Sequence, residues 1–134
     1  MTIPNSSTVL LRRADGAILM QLRDDGLGRS IPYPNTWNFP GGAIEHDESP
    51  LDAAIREIEE EFGIKLEPAD CREIWSYSHE HAPSDHVFLC NVPDDTEPPV
   101  LREGAAFAWM TVEQIGRLEL GFDQARILPQ IPLR

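Results

Sequence analysis

The stretch from Ser49 to Gly63 constrains this chain more than any other. Ser49 fits a helix N-cap, Pro50 fits the first helical position, and Asp52 stands where a capping acid answers the cap. Gly63 fits the C-terminal stop, where a left-handed backbone is favoured. Between these signals Leu51, Ala54, Ile55, Ile58 and Phe62 recur at helical spacing and share one face. That face must pack on other apolar surface, so the helix belongs to a folded domain and not to an acidic tail.

The flanking sequence supplies the partner surface. Residues 7–13 and 17–23 read as two strands around an Asp15-Gly16 turn. Residues 24–36, rich in glycine and proline, read as a loop. A short extended piece at 37–39 is stopped by Pro40-Gly41-Gly42. Residues 71–79 and 86–92 read as strands joined by a polar loop, 93–99 as a loop, and 105–110 as the last strand. Thr111 with Gln114 forms a capping box for a short helix, and Asp123 is expected to cap a final helix through Leu128. Interleaved strands and helices predict a mixed α/β class. The 134 residues, 41% of them apolar, suit one compact domain.

Several partners and compartments are disfavoured. No apolar run is long enough for a membrane span, and residues 1–7 lack a basic-then-apolar leader, so a cytoplasmic location is expected. The net charge of −12 repels phosphate polymers and argues against nucleic acid as a partner. Cys71 and Cys90 lack metal-ligand spacing and are expected as two small buried hydrophobes, with a disulfide or reactive thiol as the alternative. No Walker A or GxGxxG pattern is present.

The negative charge is concentrated. Eight of the 23 acids fall between Glu45 and Glu61. Glu57, Glu60 and Glu61 are spaced i, i+3 and i+4, so three carboxylates crowd one helix surface. Glu59 adds a fourth, and Arg56 neutralises only part of the charge. A solvated acidic face is one explanation. The other is a site for a hard cation such as magnesium, calcium or manganese, which all-oxygen donors suit. The preceding segment favours the cation site. Gly41-Gly42 leaves carbonyls accessible, and Glu48 can fold back on the first turn.

The segment from Gly42 to Ile64 resembles the box of the Nudix hydrolase family, G-x5-E-x7-R-E-U-x-E-E-x-G-U, where U is bulky and apolar. Gly42, Glu48, Arg56, Glu57, Ile58, Glu60, Glu61, Gly63 and Ile64 stand at its fixed positions. Asp47 stands where many members carry glycine, so the loop is expected to differ in shape. Trp37-Asn38-Phe39-Pro40-Gly41-Gly42 is similar to the family's entry strand, and Glu103-Gly104 with Trp109-Met110 to a stretch of MutT-like members. The resemblance implies a Nudix fold, a mixed β-sheet sandwiched between α-helices, as a single domain over residues 1–134.

The resemblance also implies a chemistry, the hydrolysis of a diphosphate linkage in a nucleoside diphosphate derivative. The cofactor is expected to be magnesium, with manganese as an alternative. The implied ligands are the Gly42 carbonyl, Glu57, Glu60, Glu61 and Glu103. Glu57 and Glu103 are the candidate bases, and Arg56 is expected to orient a box carboxylate, with Glu48 as a supporting partner. Arg23 is expected at a substrate phosphate. Asp123 stands at a place similar to where MutT-type members read a guanine edge, often with Asn, and a carboxylate prefers a different edge. The physics is consistent with this chemistry, because a divalent cation reverses the field that an acidic site presents to a polyanion.

Outside the box, Trp37, Phe39, Trp75 and Tyr77 are candidates to stack on a base or to fill the core; Phe39 is singled out because it abuts the box. His79, His81 and His86 suggest a second metal site, a substrate-facing strand or an exposed strand end. The expected partner is a small-molecule nucleotide, with no membrane, and a homodimer is left open. Nucleoside triphosphates, including oxidised dGTP, are placed ahead of nucleotide sugars, ADP-ribose and dinucleoside polyphosphates. The rival is a non-catalytic nucleotide-sensing module, which tends to lose the box carboxylates that this chain keeps.

Overall fold

A computed structural model describes residues 3–93 and 96–132 of the chain. Its sheet is organised around the first strand. In β1 (Ser6–Arg12), Val9 and Leu11 point to one face and Leu10 to the other, all at 0% exposure. A strand that is apolar on both faces must be covered on both.

β2 (Ile18–Leu22) returns antiparallel from β1, with Arg12 opposite Ile18. β3 (Trp37–Asn38) pairs with β2, and β4 (Gly41–Ala43) pairs with the start of β1, placing Ser7 opposite Gly42. β5 (Cys71–His79) and β6 (Ala82–Asn91) form a hairpin, and β6 lies parallel to β1 from Asp85 to Asn91. β7 (Ala106–Met110) pairs with β2. The order is β3-β2-β1-β6-β5, a mixed sheet.

Helices cover both faces. α1 (Pro50–Phe62) lays Ala54, Ile58 and Phe62 against Val9, Leu11, Leu19 and Phe88, with Leu51 and Ile55 at the margin. On the other face, Ile115 of α2 (Val112–Ile115) and Ile127 of the 3-10 helix Gln124–Gln130 pack on Leu10, Ile18, Met20 and Val87. The capping box of α1 closes with Ser49 Oγ accepting from the Asp52 N–H at 3.0 Å and the Asp52 carboxylate accepting from the Ser49 N–H at 3.4 Å. Gly63, at φ 70°, donates its N–H to the Glu59 carbonyl at 2.9 Å and ends the helix.

The structure corrects four local expectations. Gly41-Gly42 does not merely stop a strand; it forms β4, because the start of β1 offers an open edge. The loop expected between β5 and β6 shrinks to Glu80-His81, since β6 already begins at Ala82. Pro83 is tolerated there because β1 pairs with β6 only from Asp85 onward, which leaves an edge without a donor requirement. Asp123 does not cap the last helix through its side chain; its backbone is left-handed at φ 54°. Cys71 and Cys90 are directly opposite across the hairpin and form a disulfide, so they are not two independent apolar fillers. Residues 1–2, the start of the segment read for a leader, and 94–95, within the expected 93–99 loop, lie outside the described residues. Among the described residues no helix is long and apolar enough to cross a membrane.

Ile58 is at 0% exposure between α1 and the sheet. Ile58→Ala is therefore expected to lower the unfolding free energy by about 2–5 kcal/mol. Urea denaturation should show this as a lower midpoint with an unchanged slope; a loss under about 1 kcal/mol would contradict the packing described.

Candidate metal and catalytic site

The apolar stripe of α1 sets the position of its glutamates. With Ile58 and Phe62 buried against the sheet, Glu61 comes to the boundary between core and cavity, Glu57 is half-buried and Glu60 is exposed. Glu61 is only 4% exposed. Its Oε2 is buried without a hydrogen-bond partner. Burial, followed by the charges of Glu57 and Glu103, pushes its carboxyl up to about 9. Burial also raises Glu57, against the pull of Arg56, and Glu60 and Glu103 add to the rise. Glu103 therefore lies within electrostatic range of both helix carboxylates, although it comes from a distant loop.

Arg56 ties this acidic cluster together. Its Nε and Nη2 donate to the two Glu48 oxygens at 2.7 and 2.9 Å, a bidentate pair. Nη1 donates to Glu57 at 3.1 Å and to Glu60 at 3.2 Å, and Nη2 also reaches the Ala43 carbonyl at 3.1 Å. These bonds hold Glu48 below the usual carboxylate range, with the Arg56 hydrogen bond as the largest cause, and raise Arg56 above its ordinary value. Glu48 also accepts from the Glu45 N–H at 3.0 Å, which folds the loop onto the helix start.

Gly42 approaches the same cluster from β4. A Cβ built there would strike the Glu57 carboxylate, so only glycine lets this strand come so close. Among the described residues no three His, Cys, Asp or Glu side chains are already drawn into a coordination cage, because Arg56 occupies much of the carboxylate surface. The donor set nevertheless fits a hard divalent cation. It is all oxygen, it converges on Glu61, and one buried Glu61 oxygen has no partner.

The cluster borders a cavity of about 630 Å³ lined by Gly42, Glu61 and Glu103 and, further along, by Arg23, Phe122, His81 and Asp85. Arg23 donates from Nε to the Pro32 carbonyl at 3.0 Å, and its guanidinium lies 5.1 Å from the Phe122 ring centroid. Burial lowers its pKa, and Asp24 and Glu61 oppose the shift. Phe39 lines the cavity but is 4% exposed and packed in the core. Its N–H donates to Gln124 Oε1 at 2.8 Å. Glu60 lies off this cavity, in a neighbouring groove with Glu59, Arg56 and Arg102. Asp123 is exposed and does not line the cavity; the left-handed backbone at Phe122 and Asp123 brings Phe122 and Gln124 to it instead.

The histidines form no metal site among the described residues. His79 Nδ1 accepts the His81 N–H at 3.1 Å, which leaves Nε2 to donate to Asp85 at 2.8 Å. The other Asp85 oxygen accepts from the Thr8 hydroxyl at 2.8 Å. His79 and Asp85 side chains are 3% and 4% exposed, so His79 is not an exposed strand end. His81 packs edge-on against Tyr33 and Phe122 with centroids 5.5 and 5.4 Å apart. His86 meets Glu73 at 3.2 Å, outside the cavity. Sequence reading missed Thr8, Asp85, Phe122, Gln124 and Arg102, whose partners are 45 or more residues away in most cases and leave no local pattern.

Comparison with known proteins adds a lineage to this geometry. The model of the NUDIX domain matches residues 2–131. The chain is 47% identical over 60 residues to the m7GpppN-mRNA hydrolase NUDT17 of Danio rerio, covering 45% of this chain and only 19% of that protein. The chain thus spans about a fifth of that relative's length. It is 28% identical to the dihydroneopterin triphosphate diphosphatase of Haemophilus influenzae, covering 85% of this chain and 79% of that one. The solved MutT NUDIX hydrolase of Burkholderia pseudomallei superposes with a TM-score of 0.79 at 25% identity, covering 98% of this chain and 100% of that chain.

The raised Glu61 predicts a pH dependence in the metal-free protein. Its carboxyl, pushed up to about 9 in the folded chain, lies above the ordinary 4.5 of an unfolded one, so the folded state binds the extra proton between these values. Stability is then highest below the unfolded value and falls as pH rises toward 9. In chelator, melting temperature should drop from pH 5 to pH 8.5, and Glu61→Gln should remove much of that drop and melt higher at pH 8.5. Parallel slopes for the two proteins would refute the assignment.

Proposed function

The chain belongs to the NUDIX domain family, and on that premise we propose that residues 1–134 form one domain that hydrolyses a diphosphate linkage in a small nucleotide, using magnesium. The observation that carries the proposal is Glu61, a buried carboxylate with an unpartnered oxygen, surrounded by Glu57, Glu60 and Glu103. Such a charge cluster is a poor structural element and a good cation receptor. Both relatives named above are called for hydrolytic activities, which supports the reaction class.

In this reading the Gly42 carbonyl, Glu57, Glu60, Glu61 and Glu103 would hold the ion. When bound, a divalent cation there supplies charge neutralisation at the phosphates and a more acidic water. The chain's own groups do the rest. Arg56 holds Glu57 and Glu60 in register with the Glu48 loop. Glu57 or Glu103 takes the proton from the attacking water, and burial raises Glu57 above the usual carboxylate range. Arg23 meets a phosphate from the cavity wall, and its packing on Phe122 limits its freedom. Phe39 acts as the back wall through its buried ring, and Phe122 and Gln124 take the place that the sequence suggested for Asp123. Nucleoside triphosphates lead the substrate groups because the Glu103 segment is MutT-like.

The test is a hydrolysis screen with magnesium, manganese or chelator over nucleoside triphosphates, nucleotide sugars, ADP-ribose and dinucleoside polyphosphates, with products identified. Metal-dependent release of phosphate or pyrophosphate products is expected. Glu60→Gln and Glu61→Gln should each cut turnover by about 100-fold or more while the circular dichroism spectrum stays native. Full turnover in chelator, or in both variants, would eliminate this site; nucleotide binding with no turnover of any group would favour the sensing module.

A further inference from the structure

Glu103 stands 42 residues beyond Glu61 in the sequence. Something must hold its loop against α1, and the hydrogen bonds show what does. The Arg102 N–H donates to the Glu61 carbonyl at 2.9 Å, and the Val100 N–H donates to the Phe62 carbonyl at 2.9 Å. The Arg102 side chain continues the attachment, with Nη1 donating to the Glu59 carbonyl at 3.3 Å. The last turn of α1 carries no basic residue of its own, so Arg102 brings a cation to the helix end, at the Glu59 carbonyl that also accepts the Gly63 N–H. Its guanidinium lies against Gly63, where a Cβ would come within 3.0 Å of Nη2. Glycine at this position thus serves two needs, the left-handed turn and room for Arg102. On the far side of Glu103, its carbonyl accepts from Gln21 Nε2 at 2.9 Å, and the Ala105 N–H donates to the Leu22 carbonyl at 2.9 Å.

From this arrangement we propose that Arg102 is a positioning residue that sets where Glu103 stands relative to the α1 glutamates. The inference rests on the reading of Glu61 and Glu103 as cation ligands. Arg102 touches neither carboxylate in any bond described above; it acts through the backbone on each side. It adds a side-chain bond beside the two main-chain bonds that join the end of α1 to the segment just before Glu103, so losing it loosens one of the loop's two moorings while the main-chain bonds remain. A wandering Glu103 costs cation affinity without removing a ligand.

A double-mutant cycle tests this, read as the Mn2+ dissociation constant by electron paramagnetic resonance. The proteins are the intact chain, Arg102→Ala, Glu103→Ala and the double variant, all well below their melting temperatures. Arg102→Ala is expected to weaken Mn2+ binding roughly tenfold, as outer partners of a ligand do. Glu103→Ala should weaken it at least as much, and the double variant should be within about twofold of Glu103→Ala alone. Arg102→Lys should recover part of the loss, because it keeps the cation near the helix end. Additive losses would overturn the proposal, since Arg102 would then act on the helix or through bulk charge. Wild-type affinity in Arg102→Ala or in Glu103→Ala would overturn it too. Glu61→Gln, measured alongside, separates the two levels. If Glu61→Gln leaves Mn2+ affinity unchanged, the cation site itself falls and the proposal with it. If it abolishes binding while the cycle is additive, only the role of Arg102 falls.

Discussion

Arg56 donates at once to the Glu48 loop, the Ala43 carbonyl of β4 and two carboxylates of its own helix. Three separate pieces of chain therefore meet on one guanidinium. Lysine could not do this, because a point charge lacks the planar fork that serves Glu48 with two bonds and still reaches the others. The pair is also partly shielded, with side chains 22% and 13% exposed, so its attraction is screened less than that of a surface ion pair. Without this tie, four glutamates on the last two turns of a helix would repel one another.

The same helix answers two demands that pull against each other. Its apolar stripe drives Ile58 and Phe62 into the sheet. Glu61 lies between them in sequence and is drawn inward, where burial disfavours its charge. A fold selected for stability alone would place an apolar or neutral side chain there. On the proposed function the carboxylate is a group that waits for a cation, and the stability it forgoes is the expected price of a functional site.

What the sequence made legible follows from range. The caps of α1, its buried face and the capping box at Thr111 involve residues three or four apart, and they form as the spacing predicts. The mixed sheet between helices is likewise present. The parallel pairing of β1 with β6 joins residues some 80 positions apart and leaves no local mark. For the same reason the Cys71–Cys90 pairing escaped a reading based on spacing, although both residues sit in strands that were recognised. Asp123 shows the limit from another side. Its position in the sequence suggested the cavity, but two successive left-handed residues hand that place to its neighbours. The glutamates of α1 could be found by periodicity, whereas the loop that carries Glu103 is held by main-chain bonds and by the Arg102 and Gln21 side chains, whose distant partners leave no local pattern.

The two ends of the cavity differ in how they are made, and this bears on how substrate choice can vary. The acidic end comes mainly from one helix and one short strand, tied by Arg56 and intolerant of added bulk at Gly42. The opposite end is assembled from Arg23 after β2, the β5–β6 turn with His81, and Phe122 ahead of the last helix. These segments contact one another through ring edges and a cation-π approach, which tolerate substitution better than a bidentate ion pair does. The Thr8–Asp85–His79 chain anchors the turn from beneath, so residues above it can change without unseating the strand. A change of substrate therefore needs no change in α1. On the proposed function, the bond to be broken is set by the helix, and the group attached to it is read by loops that the helix does not constrain.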